Sequence, residues 1–341
     1  MKLQDVINGN LVLTLEQLQG DAELLKQIEV KLNELSLLDD PEVDGVWGTT
    51  TETALLSFCN FAFLNNMTTK IFGQTFAKKL LEISAPLSIP KPIASANLTL
   101  SGSVGRGGDN FKKDVEAVKN RLSDLGFSWV GRNGTMDAET IRTIELFQAI
   151  IDGKVNVLGV DGRIDVNHRT IKYLKSAKAP RWQEMPNGSP AKGFKNFDND
   201  QGDVHDFGTS WMVEVIQEAA RIYTASHRNS NPSSALIVTN NLSVARGGET
   251  SIHATHETGL SCDILLPKQN GTFGGITFRS SEYDQDAMEA MLSAIRKQKK
   301  YKINQIFFND FSLVAKGLCT NLSDGGVHDN HAHIDILPPQ I

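Results

Sequence analysis

Apolar residues recur every three or four positions along much of the first half of the chain, a spacing that predicts amphipathic helices. Over residues 22–37 the pattern is Leu24, Leu25, Ile28, Leu32 and Leu35, all on one helical face. A Val43-Asp44-Gly45 turn follows. The next helix opens at Thr49, where Glu52 completes a capping box and Ala54, Leu55, Phe58 and Phe61 make the apolar stripe. A third short helix is expected over 74–83.

Residues 111–177 repeat this plan. Val115, Val118, Leu122 and Leu125 lead to Gly126, a turn holds Gly131 and Gly134, and Asp137 can cap the helix after it. A Val160-Asp161-Gly162 turn then leads to a last helix near 167–176. Thr51, Ala54, Leu55 and Phe58 of the first copy match Thr140, Thr143, Ile144 and Phe147 of the second at identical spacing. These pattern residues are read as the core of each copy.

Two stretches lack lasting periodicity and are rich in Pro, Gly, Ser and Asn, as linkers are. The expected organisation is therefore a helical module over 1–85, a linker over 86–108, a second helical module over 109–178, a linker over 179–205, and a final domain over 206–341. In that domain Thr209 or Ser210 caps a helix bearing Met212, Val215, Ile216, Ala219 and Ile222. The apolar run at 235–239 predicts a buried strand. A helix over 282–300 turns Met288, Met291, Leu292 and Ile295 inward, and its basic end suits the negative pole of the helix dipole. Strands are expected at Gln305–Phe308 and His331–Leu337. The fold class read from this is multidomain: two small all-α three-helix modules, then an α+β domain with a small antiparallel sheet.

Composition narrows the function classes. The chain has 341 residues, 40% hydrophobic and 22% charged, with a net charge of −6, so neither nucleic acid nor an anionic membrane is an expected partner. The cysteines Cys59, Cys262 and Cys319 are too scattered for a disulfide framework or a CxxC metal pattern. The N-terminal MKLQDVINGNLVLTLEQLQG has no continuous apolar segment or small-residue cleavage site, and no spanning run of ~18 apolar residues occurs. The expectation is export by a route other than a signal peptide, or a chain that begins after processing. Oligomeric state is left open.

Five of the eight histidines fall in two short stretches. SIHATHETGLSCDI holds His253, His256 and Asp263, and GGVHDNHAHIDI holds His328, His331 and His333. Several imidazoles with one carboxylate are the ligands a metal site asks for. On a strand, His331 and His333 point to one face and can converge on one ion, with Asp335 on that face too. A catalytic zinc takes three protein ligands and keeps one position for water. His256, Asp263 and one of the two paired histidines make that set, and the other histidine is left for proton transfer. His168, His205 and His227 have no partner motif and are read as surface or loop residues.

Two resemblances add to this reading. VDGVWGTTTETALLSF, and less closely GRNGTMDAET with the helix after it, resemble the peptidoglycan-binding domain family. That implies two modules that bind a cell-wall polymer. HATHETGLSCDI and HDNHAHIDI resemble the penicillin-insensitive murein endopeptidase family, within the lysostaphin/D-Ala-D-Ala-peptidase group of zinc enzymes. The family's zinc ligands fall on His256, Asp263 and His333, its catalytic base on His331, and two further site histidines on His253 and His328. Asp329 matches the family's Asp, and Val327 stands where the family often has glycine. The resemblance implies a zinc-dependent peptidoglycan hydrolase acting on the cell wall, reached through the periplasm, from outside the cell or by phage delivery. The D-alanyl–diaminopimelate cross-link is the implied bond. D,D-carboxypeptidase, L-Ala-D-Glu endopeptidase and a catalytically inactive wall-binding protein are the alternatives. His253 and His328 are candidates to stabilise the oxyanion, and Asp329 or Asp335 to orient a histidine.

Overall fold

A computed structural model describes residues 1–35, 37–38, 42–62, 64, 66–82, 98–197, 205–250, 253–322 and 325–341, with Ser57, Asn60 and Phe61 described by backbone alone. The expected packing of the Phe61 side chain, the end of the first expected module (83–85) and parts of the two expected linkers (86–97 and 198–204) lie outside the described residues. The chain divides into two compact units, Met1–Pro92 and Ile93–Ile341.

In the first unit the elements run α1 (Leu3–Asn8), β1 (Leu13–Thr14), α2 (Leu15–Gln19), α3 (Ala22–Glu34), α4 (Thr49–Phe61), α5 (Asn66–Thr69), β2 (Ile71–Phe72) and α6 (Gln74–Glu82). The stripe read from sequence is the core: Leu24, Leu25, Ile28 and Leu32 of α3 pack with Ala54, Leu55 and Phe58 of α4 and Phe76 and Leu80 of α6. The Asp44-Gly45 turn is fixed from beneath. Buried Glu29 accepts from Gly45 N–H at 2.7 Å and from the Thr51 hydroxyl at 2.9 Å. Gly45 has φ +79°, and a β-carbon there would lie 2.8 Å from Ala22 O, so the turn requires glycine.

The second unit begins with the second copy: β3 (Val104–Gly105), α7 (Lys112–Asp124), α8 (Ala138–Ile151), β4 (Arg163–Ile164) and α9 (Arg169–Lys175). Asp137 caps α8 by accepting from Thr140 N–H at 2.7 Å, as its position predicted. There follow β5 (Trp182–Glu184), β6 (Gly188–Ser189), β7 (Phe194–Asn196), β8 (Phe207–Thr209), α10 (Ser210–Tyr223), β9 (Ile237–Thr239), β10 (Ser261–Leu265), α11 (Gln285–Lys297), β11 (Ile303–Phe307), α12 (Phe311–Ala315) and β12 (His331–Ile336). Thr209 caps α10 through Met212 N–H. The second copy and the sheet that follows share one hydrophobic core, in which Phe127 stacks on Trp182 with ring centres 5.9 Å apart.

The expected fold class is overturned. The protein is mixed α/β, with twelve α-helices among the described residues and a six-stranded mixed sheet ordered β11-β12-β10-β9-β7-β6. The helix-rich copies are not all-α, because each closes on a two-stranded antiparallel ribbon, β1 with β2 and β3 with β4. The sheet is not purely antiparallel, because β7 pairs parallel to β9 across the crossover through α10. Two-residue strands are too short to show the alternation that marks a strand in sequence. Strands β5, β6 and β7 come from a Pro- and Gly-rich stretch read as connector.

Candidate metal centre

Strands β10 and β12 bring the two histidine stretches together. They pair antiparallel with Asp263 directly opposite His333 and Ser261 opposite Asp335. Alternation then does the sorting. Ala332, Ile334 and Ile336 turn into the hydrophobic core with Cys262 and Ile264, and His331, His333 and Asp335 share the other face with Asp263 and Ser261.

His256 arrives from the loop before β10 and is one of the few non-glycine residues with positive φ, at +70°. Gly259, three residues on, has φ +63°, and a β-carbon there would lie 2.4 Å from Gly208 Cα. The loop can therefore pass over the start of α10 only as glycine. Thr209 binds it there, its N–H and hydroxyl each donating to Gly259 O at 3.1 Å.

Three ligand atoms converge. His256 Nε2 lies 3.0 Å from His333 Nδ1 and 3.3 Å from Asp263 Oδ1, and His333 Nδ1 lies 3.0 Å from the same oxygen. Tetrahedral coordination at about 2.0–2.1 Å from the ion places ligand atoms about 3.3–3.4 Å apart, close to these separations. A wider group is also present: His253, His256 and Asp263 offer ligand atoms within 4.8 Å of one another, enough to hold a metal ion. The two groups share His256 and Asp263 and differ in the third member. His333 makes the tighter triangle, and His253 Nε2 is occupied by Asn241 Nδ2 at 2.7 Å.

The surroundings set the charge of each group. Burial alone would raise the Asp263 carboxyl, but His256 and His333 outweigh it and hold its pKa well below the usual range. Burial would likewise lower His333, yet its hydrogen bonds to Asp263 and Asp335 hold it up at about 9. His253 is pushed down to about 4 by burial and by neighbouring His256. His331 is lowered chiefly by burial.

His331 stands at the edge of the cluster, with Nε2 3.7 Å from Asp263 Oδ1 and Nδ1 2.7 Å from Asn330 Oδ1. His328 lies on the 3₁₀ turn before β12, its ring 5.1 Å from His331 and 5.8 Å from His333. All six histidine and aspartate residues singled out in the sequence are thus gathered here. Asp335 backs the ring of His333, accepting from Nε2–H at 2.9 Å and from the Ser261 hydroxyl at 2.7 Å. Asp329 does not orient a histidine: it pairs with Arg279 and accepts from Asn309 Nδ2 at 2.9 Å.

Some neighbours escaped the sequence reading. Phe307 stacks on His333 with ring centres 6.0 Å apart. His205, expected as a surface or loop residue, has its ring 6.2 Å from that of His253. Of the other two histidines, His168 is exposed before α9, and His227 stacks on Tyr223 at 5.4 Å, both remote from the cluster in the contacts they make.

No protein-family model matches the chain, and no curated protein matches it.

Proposed function

We propose that this chain is a zinc-dependent peptidase that cuts peptide cross-links of bacterial peptidoglycan, with His256, Asp263 and His333 as metal ligands and His331 as the proton-transfer residue. The observation that carries the reading is the 3.0–3.3 Å triangle of those three ligand atoms with a third imidazole, that of His331, at its edge. Two imidazoles and one carboxylate suit zinc, and the donor set leaves room for solvent or substrate. Zinc held there supplies a Lewis acid that polarises an amide carbonyl and acidifies water.

The chain's own residues supply the rest. His331 is kept neutral at neutral pH, so its Nε2 accepts a proton and can later return it to the departing amine nitrogen. Asn330 takes the Nδ1–H and fixes which nitrogen faces the cluster. His253 is neutral too, with Nε2 engaged by Asn241, which leaves Nδ1–H to donate to an oxygen that gains charge. His328 stands beside His331, with ring centres 5.1 Å apart.

The likeness of the two helix-rich copies to peptidoglycan-binding domains supports the cell wall as substrate. Tethering to an insoluble polymer raises the local concentration of scissile bonds. No helix among the described residues is long and apolar enough to cross a membrane.

The test is digestion of purified sacculi by the zinc-loaded protein, with muropeptides resolved by mass. Loss of cross-linked dimers with new free amino groups on the stem peptide is expected, and a zinc chelator should stop it. Release of terminal D-alanine alone would make the enzyme a carboxypeptidase, and a cut after L-alanine an L-Ala-D-Glu endopeptidase. Unchanged sacculi with stoichiometric zinc would refute the assignment.

A further inference from the structure

The loop that carries His256 is held by a part of the molecule outside its own sheet. Glu257 N–H donates to Val155 O at 3.1 Å, and Glu257 Oε2 accepts from Val157 N–H at 2.7 Å. The Thr258 hydroxyl donates to Lys154 O at 2.7 Å. Residues 154–157 belong to the second helix-rich copy and directly follow the end of α8. That strip is braced in turn, because Lys154 Nζ donates to Leu158 O at 2.6 Å and to Gly159 O at 2.8 Å.

The same copy touches both ligand-bearing segments. Leu146 of α8 lies against Gly247, where a β-carbon would come 2.6 Å from Leu146 Cδ2, and Gly248 N–H donates to Glu257 O at 2.8 Å. Beyond β12, which bears His331 and His333, the Tyr173 hydroxyl of α9 donates to Pro339 O at 2.7 Å.

His256 needs such support. A side-chain-bearing residue in the left-handed region is strained and persists only where its surroundings over-determine it. The next two residues, Glu257 and Thr258, make the three bonds that supply this constraint.

We infer that the second helix-rich copy is a working part of the metal centre: the strip 154–157 fixes the backbone of His256, with Glu257 and Lys154 as positioning residues. The inference rests on the reading of His256 as a ligand. It treats this copy as more than a separable wall-binding module, because loosening it should loosen the ion.

Full-length Glu257→Ala, Glu257→Gln and Lys154→Met proteins decide the matter, titrated with Co2+ and followed by its visible absorption bands. Melting curves of the metal-free proteins control for folding. Glu257→Ala is expected to weaken Co2+ binding at least about tenfold, the effect usual for groups that orient a ligand, and to shift the bands. Glu257→Gln keeps an acceptor for Val157 N–H and should restore affinity and spectrum to near the parent. The Lys154 side chain bonds only Leu158 O and Gly159 O, outside the ligand loop, so Lys154→Met leaves the loop's own bonds in place and should weaken binding in the same direction. A folded Glu257→Ala protein with parental affinity and spectrum would overturn the inference. If Glu257→Ala does not fold, parental binding by Lys154→Met overturns it instead. Failure of the parent to bind Co2+ would sink the ligand assignment itself, a distinguishable result.

Discussion

Replacing Asp335 by asparagine asks how far the metal centre depends on what lies behind His333. Asp335 Oδ1 accepts from His333 Nε2–H at 2.9 Å and from the Ser261 hydroxyl at 2.7 Å, with all three residues buried. Asparagine keeps the volume and one carbonyl oxygen, removes the charge and replaces the other oxygen by an NH2 group. A hydrogen bond to a charged group contributes about 1.5–3 kcal/mol and a neutral one about 0.5–1.5, so the change costs on the order of 1 kcal/mol. About 1.4 kcal/mol is a factor of ten, and the zinc Kd should therefore rise several-fold to about tenfold.

The pH dependence sharpens the test. His333 is held at about 9 in the metal-free protein, so an ion bound at Nδ1 must displace a proton. Zinc affinity of the parent should rise with pH through neutrality and level off near 9. The metal-free protein shows the opposite trend. A histidine raised above its ordinary 6.5 contributes stability that is fully present below that value and is lost as pH rises through about 9. In Asp335→Asn one of two carboxylates is gone, His333 titrates lower, and the plateau of zinc affinity moves to lower pH. Competition against a chromophoric chelator between about pH 6 and about pH 10 measures both effects. An Asp335→Asn protein with parental Kd and an unmoved plateau would refute the reasoning, and would leave the stacked Phe307 as what holds the ring.

Four further substitutions separate the roles. His331→Ala should keep zinc affinity near the parent value while hydrolysis falls by about 10²–10⁴, and retained hydrolysis would mean that another group moves the proton. His333→Ala should abolish stoichiometric zinc binding, measured by dialysis and metal analysis, whereas His253→Ala should only weaken it. The reverse order would transfer the third ligand position to His253. Gly259→Ala places a β-carbon 2.4 Å from Gly208 Cα at φ +63°, so its melting temperature should fall by several degrees for a cost above about 1 kcal/mol, and an unchanged melt would mean that the loop has another way past α10.

The site was legible where its geometry is local. His331, His333 and Asp335 share a face because a strand alternates, and no tertiary knowledge is needed for that. The opposition of Asp263 to His333 depends on register between strands 70 residues apart, which spacing alone does not give. Neighbours from third and fourth elements were not legible at all: Phe307 comes from β11, Asn241 from the loop after β9, and His205 from before β8. Asp329 misled because it is adjacent to His328 in sequence, yet its carboxylate faces Arg279 and Asn309. Val327 proved harmless to the loop because the left-handed position falls one residue earlier, at Gly326, with φ +95°.

The helical repeat was legible for the same local reason, and its copies show what periodicity leaves out. Helices α3 and α7 each have 13 residues, and the eighth is Glu29 in one and Lys119 in the other. Both side chains are fully buried and both tie down the turn that follows. Glu29 accepts from Gly45 N–H and Thr51, while Lys119 donates to Asn133 Oδ1, Thr135 O and Asp137 Oδ2 at 3.0–3.1 Å. A charge at that position reads in sequence as a solvated face. It is buried because the turn presents backbone and side-chain groups that need a partner, and either sign serves once the turn supplies the opposite one. The turns accordingly differ with their helices, Val43-Asp44-Gly45 in one copy and Gly131 to Gly134 in the other. Wherever hydrophobic spacing alone fixes an element, the two copies agree; wherever a polar group closes a turn, each copy has its own chemistry.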